Sequence, residues 1–177
     1  DLARLICAIQ YVKHAAHVAT CMHALQAVAE PRSVDLNELV KSVTSVFADV
    51  AVGFSPTYPG TRIIGSAFHI QNALLELLSN ARDFTHHLGP SAAIRVWIDS
   101  QGDMHHIHVV DNGPGVLPTL GDSIFDLFVT SVEKRTGMGL AYVKQVALAY
   151  AGKVQYLSGD NGAHFVLSFP KLGMPTE

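Results

Sequence analysis

Residues 109–116 read VVDNGPGV. Two β-branched residues lead an extended chain to an acid, and Gly113, Pro114 and Gly115 crowd the positions just beyond it. One glycine is enough for a turn. A second, two residues later, implies that the backbone there must come close to something else. The apolar alternation extends back through MHHIHVVD (104–111) and AAIRVWIDS (92–100), so both read as strands, joined through SQGD as a hairpin. Asp111 therefore stands at a strand tip. A carboxylate there can accept a hydrogen bond from an exocyclic amine while the glycines let a flat ring lie against backbone. The same residues also make an ordinary tight turn, and the stretch alone leaves both readings open.

Toward the C-terminus, residues 111–137 are rich in glycine and show little pattern. GLAYVKQVALAYAG (139–152) then reads as a helix closed by Gly152. KVQYLS and AHFVLSFP follow as two strands around GDNG, a strong hairpin signal. Gly137 and Gly139 immediately precede that helix, with Lys134 and Arg135 just upstream. Unobstructed N–H groups at a helix start form a natural phosphate site, and the two cations add charge. A loop that merely caps the helix is the plainer alternative. Neither a GxxxxGK[ST] loop nor a GxGxxG turn after a first strand is present.

Toward the N-terminus, the spacing predicts a helix over 67–87. Ile70, Leu74, Leu77, Leu78, Ala81 and Phe84 form its apolar face, and His69, Asn72, Glu76, Asn80, Asp83 and His87 line another. Glu76 and Asn80, one turn apart, offer hard oxygen ligands suited to Mg²⁺, with a triphosphate supplying the rest. A solvated helix face is the alternative. SVDLNELVKSV (33–43) starts another helix, capped by Ser33 or Asp35, and GFSPTYPG (53–60) reads as a loop. Residues 2–29 read as one long helix ended by Pro31, with Leu2, Leu5, Ile6, Ile9, Val12, Ala16, Ala19, Met22, Leu25 and Val28 in an apolar stripe that needs a second helix to cover it.

The 177 residues fit one ordinary domain with an appendage, and 49% apolar content supports a full core. A net charge of −3 without a Lys/Arg cluster argues against nucleic acid. No run reaches membrane-spanning length, and no basic-then-apolar leader is present. Cys7 and Cys21, 14 residues apart on one helix, cannot pair within it and read as small buried hydrophobes of a reducing compartment. The chain does not begin with Met and is expected to be a piece of a longer protein. Helices and hairpins segregate along it, which points to an α+β two-layer domain with a mixed sheet and helices on one face.

Taken in order, these stretches resemble the ATP-binding domain shared by sensor histidine kinases, DNA gyrase, Hsp90 and MutL. ELLSNARDFT (76–85) resembles its asparagine box, DNGPG (111–115) the first glycine box, IFDLFVTS (124–131) the phenylalanine box and GMGLA (137–141) the second glycine box. GAHFVLSFP (162–170) is similar to the closing strand, and the likeness spans about residues 35–170. It implies a Bergerat-type sandwich over residues 33–172, preceded by a helical segment (1–32) of a dimerisation hairpin. By position, Asn80 becomes a Mg²⁺ ligand, with Glu76 catalytic or behind the metal. Asp111 holds the adenine amine, and Gly113 and Gly115 let the loop close over the base. Gly137, Met138, Gly139 and Leu140 meet the phosphates, while Asp83, Phe128, Thr130, Lys134 and Arg135 join the ATP contacts. The segment between the glycine boxes becomes a short lid anchored by Phe125 and Phe128.

The phenylalanine box and SVDLNELV (33–40) resemble the histidine kinase branch. That implies γ-phosphoryl transfer to a histidine, a response regulator as partner, a homodimer, and a cytoplasmic location, whole or as part of a membrane-anchored sensor. Two departures stand out. Glu76 lies where many histidine kinases carry asparagine, and its role is open between general base, metal support and orientation of the acceptor. His14, His17 and His23 lack the following acid of an acceptor motif, so the acceptor helix is expected upstream or has been lost. Two other readings follow: a nucleotide-binding adaptor without transfer, and a gyrase- or chaperone-like ATPase.

Overall fold

The computed structural model describes residues 31–47, 51–55, 60–130, 137–158 and 162–172, with Ile9, Val12, Ala16 and Ala19 of the N-terminal segment. Strand β1 (Arg32–Asp35) leads into helix α1 (Leu36–Thr44). Of the two candidate caps Asp35 is the one used: its carboxylate accepts from the N–H groups of Asn37 at 3.0 Å and Glu38 at 3.3 Å. Leu36, Leu39, Val40 and Val43 turn to the core, as their spacing requires. Strands β2 (Ala51–Ser55) and β3 (Arg62–Gly65) follow, then α2 (Ala67–Thr85), capped by Ser66. The chain tightens into a 3₁₀ turn at His86–Ser91 before β4 (Ala93–Gln101) and β5 (Met104–Asp111). Helix α3 (Gly139–Ala149), β6 (Lys153–Ser158) and β7 (Ala163–Pro170) complete the fold.

The main sheet runs β2-β4-β5-β7-β6, with β2 parallel to β4 and the other pairs antiparallel. β1 and β3 form a separate antiparallel ribbon. Burial alternates along all of β5 and along β4 as far as Ile98, so one face points inward. Ile94, Val96, Ile98, Ile107, Val109, Leu167 and Phe169 on that face meet Ile70, Leu74, Leu77 and Leu78 of α2 and Tyr142, Val143 and Val146 of α3 in one core. This is the α+β two-layer arrangement the patterning predicts. β5 is paired on both sides, with β4 as far as its tip, Asp111, and with β7 as far as Val110.

Three details differ from the sequence reading, and a fourth decides between two readings it left open. β1, β2 and β3 carry no strong pattern of their own; each is four or five residues long, and its pairing comes from the partner it meets. Residues 53–55 of the expected loop belong to β2, an edge strand that docks on β4. The helix closure falls on Ala151, which adopts the left-handed conformation (φ 53°), not on Gly152. Gly152 is needed for another reason: a Cβ there would collide with the Ser168 carbonyl oxygen. The polar stripe of α2 is not a solvated face, because His69, Asn72 and Glu76 are buried and only its later turns open outward.

Candidate functional site

Asp111 is 6% exposed at the end of β5. Its Oδ1 accepts the N–H of Gly113 at 2.8 Å and the N–H of Ala163, on β7, at 3.2 Å. Both bonds land on Oδ1, so the carboxylate is fixed in plane while Oδ2 takes neither. Burial pushes the carboxyl pKa above its ordinary range, and the two N–H donors offset part of that rise. Gly162 completes the fixture. It is left-handed (φ 82°), and a Cβ there would collide with the Asp111 carbonyl oxygen. β7 can therefore start against Asp111 only because residue 162 is glycine.

Helix α2 forms one wall of the site. Glu76 is 8% exposed and reaches the start of α3, where a Cβ at Gly139 would lie 2.5 Å from Glu76 Oε2. Two turns further along, a Cβ at Gly113 would lie 3.1 Å from the Phe84 carbonyl oxygen. Asn80 lies midway, one turn from each close approach. The two glycine motifs, 24 residues apart from Gly115 to Gly139, are thus brought to the same helix on either side of Asn80.

Helix α3 begins without a side-chain cap, and its first turn includes Gly139 and Leu140 after Met138. Its N–H groups and the positive end of the helix dipole suit an anion. Gly137 is left-handed (φ 64°), and its carbonyl oxygen accepts the Phe128 N–H at 3.0 Å. That bond holds Phe128 and Gly137 to each other. Phe125 anchors the described run that leads to Phe128 from inside: it is 5% exposed and meets Phe165 edge to face, with centroids 6.1 Å apart. Phe128 does not share this role. Its side chain is 72% exposed, and what it contributes is a left-handed backbone (φ 68°) and the N–H bonded to Gly137.

Of the remaining candidates, Asp83 is exposed and pairs with Arg82 at 3.3 Å. Thr130 is exposed at the last described residue of the lid segment. Gly115 is left-handed (φ 74°) beside Gly162. Lys134, Arg135 and most of the helix expected over residues 2–29 lie outside the described residues. Sequence reasoning missed the part played by Ala163, Gly162 and the Phe84 carbonyl. Only Gly162 carried a signal, and it was absorbed by the hairpin reading of GDNG. Among the described residues no group of three or more His, Cys, Asp or Glu is placed to hold a metal ion by itself.

Residues 65–173 match the sequence profile of the histidine kinase-, DNA gyrase B- and HSP90-like ATPases. The chain belongs to this family. The matched region is the ATP-binding catalytic domain found in sensor histidine kinases, and it takes in α2, Asp111, the lid segment and α3 together. The C4-dicarboxylate transport sensor protein DctB of Rhizobium meliloti is 31% identical over 114 residues, which is 63% of this chain and 18% of DctB. The catalytic domain of histidine kinase ThkA superposes with a TM-score of 0.72 at 25% identity, covering 80% of this chain and 98% of that one. Full-length ShkA, solved in complex with AMPPNP, shares the fold (TM-score 0.73, 24% identity, 86% of this chain and 34% of ShkA). The chain spans well under half the length of the curated relatives it matches first. No helix among the described residues of this family member is long and apolar enough to cross a membrane.

Proposed function

We propose that this chain is the ATP-binding catalytic unit of a two-component sensor histidine kinase and transfers the γ-phosphoryl group of ATP to a histidine side chain. The observation that carries this reading is the convergence on α2: Glu76 against Gly139, Phe84 against Gly113, and Asn80 between them. Asp111 Oδ2 accepts the adenine amine, and a fixed carboxylate there selects adenine over a base that presents an acceptor at that position. Gly113 and Gly115 leave room for the ring. The backbone N–H groups from Gly137 through Met138, Gly139 and Leu140 face the phosphates. Asp83 and Thr130, with Phe128 on the lid and Lys134 and Arg135 beyond it, complete the proposed contacts.

Asn80 holds Mg²⁺, with Glu76 supporting it. The ion would neutralise phosphate charge, and the phosphates would supply further ligands. In the transfer the bond from the γ-phosphorus to its bridging oxygen breaks, ADP leaves and a phosphorus–nitrogen bond forms. The protein's share is positioning and charge stabilisation. A response regulator is the proposed recipient of the phosphoryl group; ThkA has been solved in complex with its response regulator TrrA.

Residues 33–172 form the proposed catalytic domain and residues 1–32 part of a dimerisation hairpin. Ile9, Val12, Ala16 and Ala19 support this: they are helical and exposed at spacings of three, four and three, a seam that a second helix would cover. A cytoplasmic location follows from the same reading. Incubating the full-length parent protein with γ-labelled ATP should give acid-labile, base-stable label on histidine. Nucleotide binding without label would overturn the transfer and favour a binding module. Buried Glu76 favours one second reading, hydrolysis by a general base, which steady phosphate release lost in Glu76→Gln would support.

A further inference from the structure

The outer face of the sheet, turned away from the helices, carries a connected set of side chains that the proposed chemistry does not use. His108 Nε2 lies 3.0 Å from Asp99 Oδ2, and His108 Nδ1 lies 2.9 Å from His164 Nε2. Trp97, the sole tryptophan, lies flat over His108, with ring centroids 4.5 Å apart and planes at 3°. His106 bonds the Ser168 hydroxyl at 2.7 Å, and its ring centroid is 6.3 Å from that of His108.

A contact between two imidazoles needs one N–H and one lone pair. Ionised Asp99 accepts the Nε2–H of His108, so neutral His108 offers a lone pair at Nδ1 and His164 donates to it from Nε2. One added proton fits, on the outer nitrogen of His164. A second sets N–H against N–H at 2.9 Å, and the bond between β5 and β7 is lost. Two neighbours on this face work against added charge, Arg95 on β4 at His164 and His106 on β5 at His108, and Lys153 of β6 shares the face through its pairing with Ser168. Asp99 favours charge on His108, and its Oδ1 is buried with no hydrogen-bond partner among the described residues.

This bond sits beside the nucleotide carboxylate. His164 directly follows Ala163, whose N–H holds Asp111 Oδ1, and His108 precedes Asp111 by three residues on the same strand. We propose that His108 and His164 are positioning residues for Asp111, and that double protonation of the pair in acid removes their cross-strand side-chain bond, loosens the start of β7 against the end of β5 and weakens nucleotide binding. The inference rests on the reading of Asp111 as the adenine-binding group. Burial lowers the pKa of both imidazoles; Asp99 opposes this at His108, while His108 and Arg95 add to it at His164. The bond is therefore intact at neutral pH, and it opens as pH falls below the ordinary histidine range.

His164→Gln separates titration from bonding, because a glutamine N–H can donate to His108 Nδ1 without charging. Affinity for Mg-ATP is measured on the 177-residue chain and on His164→Gln, with Trp97 emission followed in the same samples. Ligand and Asp111 protonation are common to both proteins and cancel in the ratio. Between about pH 8 and about pH 5, the unaltered chain should lose roughly two- to tenfold more affinity than His164→Gln, the worth of one hydrogen bond, with a step in Trp97 emission that His164→Gln lacks. Equal pH slopes in proteins that both bind at neutral pH would overturn this inference alone. Absence of binding at any pH would overturn the adenine assignment and the inference with it. If circular dichroism shows His164→Gln unfolded, His108→Gln takes its place with the same expectations.

Discussion

Asp111→Asn is the sharpest test of the site, because the geometry separates its structural from its recognition role. Oδ1 accepts two backbone N–H groups, from Gly113 and Ala163, and an asparagine carbonyl oxygen can accept the same two. Asparagine also removes the cost of holding a buried charge, which the raised carboxyl pKa reports. Stability should therefore stay within about 1 kcal/mol of the parent at neutral pH. The second position changes from an oxygen acceptor to an NH₂ donor. On the proposed adenine contact, a donor in place of that acceptor loses a hydrogen bond to a charged group worth about 1.5–3 kcal/mol, so ATP affinity should fall roughly 10- to 150-fold. Asp111→Ala is a poorer test. It orphans both N–H groups at about 1–3 kcal/mol each, so a loss of binding there would be mixed with a loss of stability. Titration calorimetry with Mg-ATP and urea denaturation on the same samples check both halves. An Asp111→Asn protein that folds and binds ATP with parental affinity would refute the assignment.

Phe125→Ala should destabilise the domain by about 3–5 kcal/mol by emptying the site against Phe165, whereas Phe128→Ala should stay within about 0.5 kcal/mol; urea midpoints distinguish them. Glu76→Gln should reduce phosphoryl transfer by about 10²- to 10⁴-fold if Glu76 moves a proton, with ATP affinity changed far less, measured as single-turnover transfer against equilibrium binding. Stability should fall in acid, because His69, His105, His108 and His164 are held below the ordinary histidine value of 6.5, chiefly by burial. The unfolded chain then binds more protons than the folded one as pH drops through that value. Their contribution is present above it and lost below it, which urea melts across the range will show.

Much of the fold was legible because its main elements carry long regular patterns. α2, α3, β4, β5, β6 and β7 each repeat apolar residues at the helical or strand period, and turn residues mark their ends. β1 and β3 were not legible: two four-residue segments pair only because α1 and α2 bring them together. The candidate site divides in the same way. Asn80, Asp111 and the glycine pairs stood out by local chemistry and by their order along the chain. The burial of Glu76 did not, since a polar stripe on an isolated helix looks the same whether it faces water or a second helix.

By itself the sequence determined which residues are helical, which alternate, where the chain must turn and which side chains can bind or carry charge, because those depend on neighbours a few residues away. Only the tertiary structure decided that Ala163 holds Asp111, that Gly139 must be small to admit Glu76, that Phe125 and not Phe128 is the buried anchor, and that His108 meets His164. Each of these joins residues far apart in the chain, through contacts a few ångströms long, and such contacts exist only after the sheet and its helices have closed on each other.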